Sequence, residues 1–160
     1  MQKFPITSEG YKKMEEEIRY LKYELRPEIA NLISTAREHG DLSENAEYHA
    51  AREKQSFNEG RIIDLEDKYS RSEVIDYTKF SNDTIKFGAI VKLIDDATEK
   101  EYSYRIFSEY EADLSKNIIS VKSPLAKGLI GKSVGDIVEI NTPKGLKIYE
   151  IIEISYSEEV

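Results

Sequence analysis

Cysteine is absent from this 160-residue chain, and with it go disulfides, thiolate nucleophiles and cysteine-ligated metals. Long apolar runs are absent too. Nothing approaches the roughly 20 residues needed to span a bilayer, and the opening Met1-Gln2-Lys3-Phe4-Pro5-Ile6-Thr7 lacks the continuous apolar stretch of a secretory signal. These absences predict a cytoplasmic protein with no membrane partner. Excess positive charge is also missing. The net charge is −8, with 12 Lys and Arg against 16 Asp and Glu in residues 1–75, and 11 against 15 in the remainder. Neither part has the bulk positive charge of a protein that grips duplex DNA unaided, so a nucleic-acid role has to act through a local patch or a protein partner. Histidine is scarce. His39 and His49 stand ten residues apart, a spacing that makes no metal site, and neither is a candidate catalytic base.

What is present is charge and periodicity. From Ser8 to about Glu38, Tyr11, Met14, Ile18, Leu21 and Leu25 step by 3, 4, 3 and 4 residues, the seam of a coiled coil. Ile29, Leu32 and Ala36 resume the pattern after an extra step of four, a local stutter. Pro27 falls inside it and predicts a bend, and Thr7 or Ser8 predicts the cap. His39-Gly40 interrupts the pattern. A second helix is predicted from Ser43 or Glu44 to about Ser72, with a seam of Ala46, Ala50, Phe57, Ile62, Leu65 and Tyr69. A short break containing glycine predicts an antiparallel fold-back. The helical period then gives way to β-rich segments at 87–94, 102–107, 117–121, 136–140 and 147–154, with a loop and short helix over 123–131. The fold class is therefore α+β in two domains. Residues 1–76 form an antiparallel coiled-coil helical hairpin with an acidic tip, 77–84 a linker, and 85–160 a small, mostly antiparallel sheet domain. The tyrosines and phenylalanines lie mostly in apolar patterns and read as core. Gly128, Gly131 and Gly135 need no explanation beyond turn chemistry.

The tip carries the chemistry-bearing residues. Asp41 and Glu44 are three apart, and at a helix start that spacing can set both carboxylates on one face. The same Asp-x-x-Glu spacing is a capping box, with Asp41 as the cap and Glu44 reaching back. Spacing alone leaves both readings open. As chemistry, two-metal phosphodiester hydrolysis needs one metal to activate water and one to stabilise the leaving oxygen. Mg²⁺ favours carboxylates and keeps several waters, so two carboxylates on a rigid rod can complete a ligand-poor site in trans.

The run from Ala36 to Ala51, reading Ala-Arg-Glu-His-Gly-Asp-Leu-Ser-Glu-Asn-Ala-Glu-Tyr-His-Ala-Ala, closely resembles the signature of bacterial Gre-family transcript-cleavage factors. Arg26-Pro27-Glu28-Ile29, Glu59-Gly60-Arg61-Ile62, the segment from Ser123 to Lys132 and Gly135-Asp136 fit the same family, so the resemblance covers essentially the whole chain. It implies a globular domain akin to FK506-binding proteins and a monomer. It also implies a partner, bacterial RNA polymerase, with the globular domain on the polymerase rim and the hairpin in its secondary channel, facing the nascent RNA 3′ end. The protein is then no enzyme but an accessory factor that stimulates the polymerase's own cleavage of backtracked RNA. It binds no cofactor stably alone and shares Mg²⁺ with the polymerase. By this resemblance Asp41 and Glu44 act as catalytic and metal-binding residues in trans, Asp41 on the loosely held metal and Glu44 on the water. Gly40, Ser43 and Asn45 shape the tip, Arg37 and Arg52 contact RNA with Lys54 as a weaker candidate, and Ser123 and Pro124 dock on polymerase. The plainer readings are surface pairing of the arginines with Glu38, Glu47 or Glu53, and a rigid turn at Ser123-Pro124. Three other functions compete: a channel-occupying inhibitor, a prolyl isomerase built on the globular domain, and a structural coiled-coil dimer.

Overall fold

A computed structural model describes residues 2–158 of the chain. They divide into two compact units, one built on Tyr11–Ser72 and the other on Phe4–Gly10 together with the chain from Glu73 onward.

The first unit is the helical hairpin. Helix α1 (Ser8–Tyr20) passes through a π turn (Leu21–Leu25) into α2 (Arg26–Arg37), and α3 (Ala46–Arg71) returns against them. Met14, Leu21, Ile29 and Ala36 are all buried, and their spacings are 7, 8 and 7 residues. The middle interval holds one residue more than a heptad. The π turn absorbs it: the Arg26 N–H donates to the Leu21 carbonyl, five residues back instead of four. Pro27 follows directly, and its missing N–H and its ring are tolerated where the helix is already wound wide. The bend predicted at Pro27 is thus a π turn placed just ahead of it.

Two seam predictions need correction. Leu32 is 43% exposed, and Ile33 is buried in its place, because the extra residue shifts the inward face by one position. In α3 the inward residues are Ala51, Asn58, Ile62 and Leu65, with Tyr48, Gln55 and Tyr69 half-buried. These alternate by 3 and 4 without a break. Ala46 and Ala50 face solvent, and Phe57 is 80% exposed. The predicted seam went astray because the buried position is a polar residue, Asn58, and the neighbouring phenylalanine stood in for it. Three cross-helix ion pairs edge the seam: Lys22–Glu66 at 3.0 Å, Arg26–Glu59 at 2.7 Å and Arg61–Glu17 at 3.0 Å. Tyr11 and Tyr69 stack at 4.6 Å near the base.

In the second unit, β1 (Phe4–Ile6) pairs with β2 (Ser72–Val74). The main sheet has five strands: β3 (Ile90–Asp95), β4 (Glu101–Phe107), β5 (Ile118–Ser120), β6 (Ile137–Thr142) and β7 (Gly145–Ser155), in the order β5-β4-β3-β7-β6. All pairings are antiparallel except β4 with β5. Burial alternates strictly along β3, the signature of a sheet with one inward face. Val91, Leu93, Ile151, Val138 and Ile140 supply that face, and the short helix α4 (Pro124–Leu129) closes over it with Ala126 and Leu129. The predicted strands are all present.

Phe4–Gly10, which falls inside the hairpin domain expected over residues 1–76, groups with the second unit. Phe4 and Ile6 are 1% and 0% exposed. Thr7 caps α1 by accepting the Gly10 N–H at 3.0 Å, and its own hydroxyl donates to Glu111. The Glu111 carboxylate also accepts from the Ser108 backbone and hydroxyl at 3.2 and 2.7 Å. A side chain at Gly10 would collide with that carboxylate.

Candidate functional site: the hairpin tip

The tip is built by three successive terminations. Helix α2 ends at Arg37, and the Glu38 and His39 N–H groups close its last turn onto the Thr35 and Ala36 carbonyls at 3.2 and 3.1 Å. Gly40 then takes a φ of +112°, a conformation that side chains resist. Asp41 is extended and leads into a tight 3₁₀ turn at Leu42–Glu44. One carboxylate oxygen of Asp41 accepts both the Ser43 N–H at 3.0 Å and the Ser43 hydroxyl at 2.9 Å. The predicted second helix therefore starts later than Ser43 or Glu44. It begins at Ala46, capped by Asn45, whose side-chain oxygen accepts the Tyr48 N–H at 3.0 Å.

Asn45 does more than cap. Its amide nitrogen donates to the Ala36 carbonyl at 2.6 Å. One planar side chain thus adds a second donor to the Ala36 carbonyl at the end of α2, beside the His39 N–H, and satisfies an orphan donor at the start of α3. It ties the two helices together directly beneath the acidic loop. Below it, Ile29, Ile33 and Ala51 form a small core, against which Leu25 and Tyr48 pack.

The capping-box reading separates into its parts here. Asp41 caps only the 3₁₀ turn, and Glu44 does not reach back to it. Among the described residues the Glu44 carboxylate has no hydrogen bond or ion pair, and both acidic residues are exposed. Asp41 keeps its second oxygen free while the first locks the loop. The site thus offers two solvent-facing carboxylates, one of them immobilised. Among the described residues no three His, Cys, Asp or Glu side chains gather as a metal site, so any ion held at the tip would draw most of its ligands from water or from another molecule.

Arg37 and Arg52 are exposed, and neither pairs with Glu38, Glu47 or Glu53 among the described residues. The Arg37 guanidinium lies 5.9 Å from the Tyr48 ring, a cation–π contact that orients it without neutralising it. Lys54 is likewise exposed and unpaired among the described residues. The ring of His49 lies edge-on to Tyr48 at 5.6 Å, and its Nε2 sits within donor reach of the Ser43 carbonyl at 3.3 Å. His39 is exposed at the tip. In the second unit Ser123 caps α4, accepting the Ala126 N–H at 3.2 Å, and Pro124 occupies its first turn. That is the rigid turn expected on local grounds, with Pro124 facing solvent.

Two family models match, one described as the N-terminal domain of a transcription elongation factor over residues 4–74, the other as the GreA/GreB C-terminal domain over residues 80–156. The chain belongs to the GreA/GreB family of transcription elongation factors. It is 61% identical over 156 residues to transcription elongation factor GreA of Rickettsia prowazekii (strain Madrid E), covering 98% of this chain and 96% of that one. GreA of Chelativorans sp. (strain BNC1) is 54% identical over 156 residues, covering 98% and 99%. Among solved structures, the GreA factor homolog 1 of Thermus thermophilus matches at 27% identity over 96% of this chain and 99% of that one, with a TM-score of 0.45. Within this GreA/GreB family member, the spacing of the acidic pair pointed to the tip. The bridging role of Asn45 left no trace in periodicity, since asparagine in a turn needs only local reasons to be there.

Proposed function

We propose that this elongation factor stimulates RNA polymerase to cleave its own backtracked transcript, entering the secondary channel with the hairpin and bringing Asp41 and Glu44 to the polymerase active site. Family membership supports the polymerase as partner. The observation that carries the cleavage reading is the tip: two exposed carboxylates, one with an oxygen locked by Ser43 and another left open. Exposed, singly available carboxylates suit Mg²⁺, which binds through one or two acidic ligands and otherwise keeps its water. Bound there, the ion would supply Lewis-acid stabilisation of charge on the phosphate and leaving oxygen. Asp41, already fixed, is suited to ligation. Glu44, free to adjust, is suited to orienting the attacking water and accepting its proton. Arg37 and Arg52 would contact the displaced RNA through guanidinium forks that no neighbouring acid occupies. Ser123 and Pro124 would lie on the face that meets polymerase.

The test is a cleavage assay on stalled, backtracked elongation complexes with Mg²⁺ varied. Asp41→Ala and Glu44→Ala should each lower stimulated cleavage by about 10²-fold or more, the usual scale for a positioned acid–base group, while competing normally with wild type for polymerase. Full activity in both variants would sink the tip mechanism. Inhibited elongation without any cleavage by wild type would mark a channel-blocking factor instead.

A further inference from the structure

The middle of the hairpin seam holds a residue that stability alone does not explain. Asn58 is 3% exposed at a position where the heptad calls for an apolar side chain. Its amide nitrogen donates to the Leu21 carbonyl at 3.2 Å, and its side-chain oxygen has no hydrogen-bond partner among the described residues. A half-satisfied amide in an apolar seam gains little or costs stability. What it can contribute is register, the best-attested use of a lone polar residue in such a seam.

Its acceptor is not an ordinary helical carbonyl. Leu21 opens the π turn and also receives the Arg26 N–H from five residues ahead. At this place on the first arm a wide turn therefore coincides with a carbonyl that accepts from α3. The 7, 8, 7 spacing of Met14, Leu21, Ile29 and Ala36 makes the same demand on packing, since the eight-residue interval fits α3 in one alignment. Nearer the tip the apolar side chains come mostly from the first arm, as Ile29 and Ile33, and α3 answers them with Ala51 and the half-buried Gln55 and Tyr48, a facing surface with few large apolar knobs to specify register. The ion pairs along the edges are exposed and screened by solvent, and contribute little to the choice of register.

We propose that Asn58 and the π turn at Leu21–Leu25 form the register lock of the hairpin, making Asn58 a positioning residue for the acidic tip. The smallest slip that again faces seam residue to seam residue is three or four positions, sliding one arm along the other by about 5 Å. Asn45 could not then bridge to Ala36, and the Asp41 loop would move with it. Displacements of even 1 Å at reacting groups can cost about 10²-fold in rate. The functional half of this inference rests on the cleavage reading above; the structural half does not.

The decisive variant is Asn58→Leu, which fills the seam with an apolar side chain of similar size. Because the chain has no cysteine, single cysteines at Arg19 and Ile63 on the exposed faces of the two arms take spin labels cleanly. Wild type should give one narrow interlabel distance. Asn58→Leu should give a broadened or split distribution, with an unfolding midpoint unchanged or higher and transcript cleavage lowered at least tenfold. A single unchanged distance in Asn58→Leu overturns the register lock whatever cleavage does. A split distribution with undiminished cleavage overturns the positioning role alone. Wild type failing to stimulate cleavage would count against the functional reading, and the distance result would still decide the lock. Deleting exposed Glu24, which removes the inserted residue, is a second variant and should broaden the distances in the same way.

Discussion

At the residue scale the tip depends on one side chain more than on the acids it presents. Asn45 spends its donor on Ala36 and its acceptor on Tyr48, so the two functions can be separated by substitution. Asn45→Ala loses both and should destabilise the hairpin by about 1–2 kcal/mol, the scale of a lost helix cap. Asn45→Asp keeps the cap but sets a carboxylate against the Ala36 carbonyl. It should recover much of the urea stability while leaving the bridge open. If the bridge holds the loop in its working shape, Asn45→Asp will lag well behind wild type in transcript cleavage at nearly equal stability. Equal cleavage would reduce Asn45 to an ordinary cap. Gly40→Ala is a cleaner backbone test. Nothing crowds that position, so its cost, about 1–2 kcal/mol, comes from φ alone.

At the element scale the hairpin shows which features a sequence discloses. The first arm was legible to Leu25 because apolar residues at 3- and 4-residue steps have one physical explanation. Beyond that point one inserted residue moved the inward face from Leu32 to Ile33, and periodicity cannot say whether a helix absorbs an insertion by supercoiling or by a π turn. In α3 the buried Asn58 hid the true seam, because hydrophobic patterns are blind to polar residues used for register. The strands of the second unit were plain from their Ile, Val and Tyr content. Buried Arg105, only 2% exposed and donating to the Gly88 and Ser157 carbonyls at 3.2 and 2.6 Å, was not. The acidic pair could be located from spacing, but without the family resemblance it was no more than a cap. The hairpin also carries a pH dependence with a definite sign. The Arg26 hydrogen bonds hold Glu59 below the usual glutamate range. The pair therefore contributes fully above the unfolded value of about 4.3 and loses its contribution as pH falls through the lower folded value. Glu59→Gln should flatten that part of the acid limb of helical unfolding, and added salt should mimic the substitution at neutral pH. An acid limb identical to wild type would show that this exposed pair is inert.

At the scale of the whole molecule, the division into units does not follow chain order. The sheet unit recruits Phe4–Gly10 from ahead of the hairpin, so a fragment cut at the end of α3 is incomplete even though it holds all five strands of the main sheet. It lacks β1, the partner of β2, and with it the Ile6 carbonyl that accepts the Ile75 N–H at 2.9 Å. Also missing is the Thr7 hydroxyl that donates to Glu111. A fragment of residues 73–160 should therefore unfold at distinctly lower urea than one in which residues 4–10 are joined to residue 73 by a flexible linker. The two fragments also separate packing from polar anchoring. Glu111→Ala should cost the linked fragment more than the truncated one, because in the linked fragment it removes the partner of Thr7 as well as that of Ser108. Coupling of this kind is expected only between groups in direct contact. If Glu111→Ala costs both fragments the same, Thr7 contributes nothing through that carboxylate, and the N-terminal segment is held by its other contacts, the β1–β2 pairing among them.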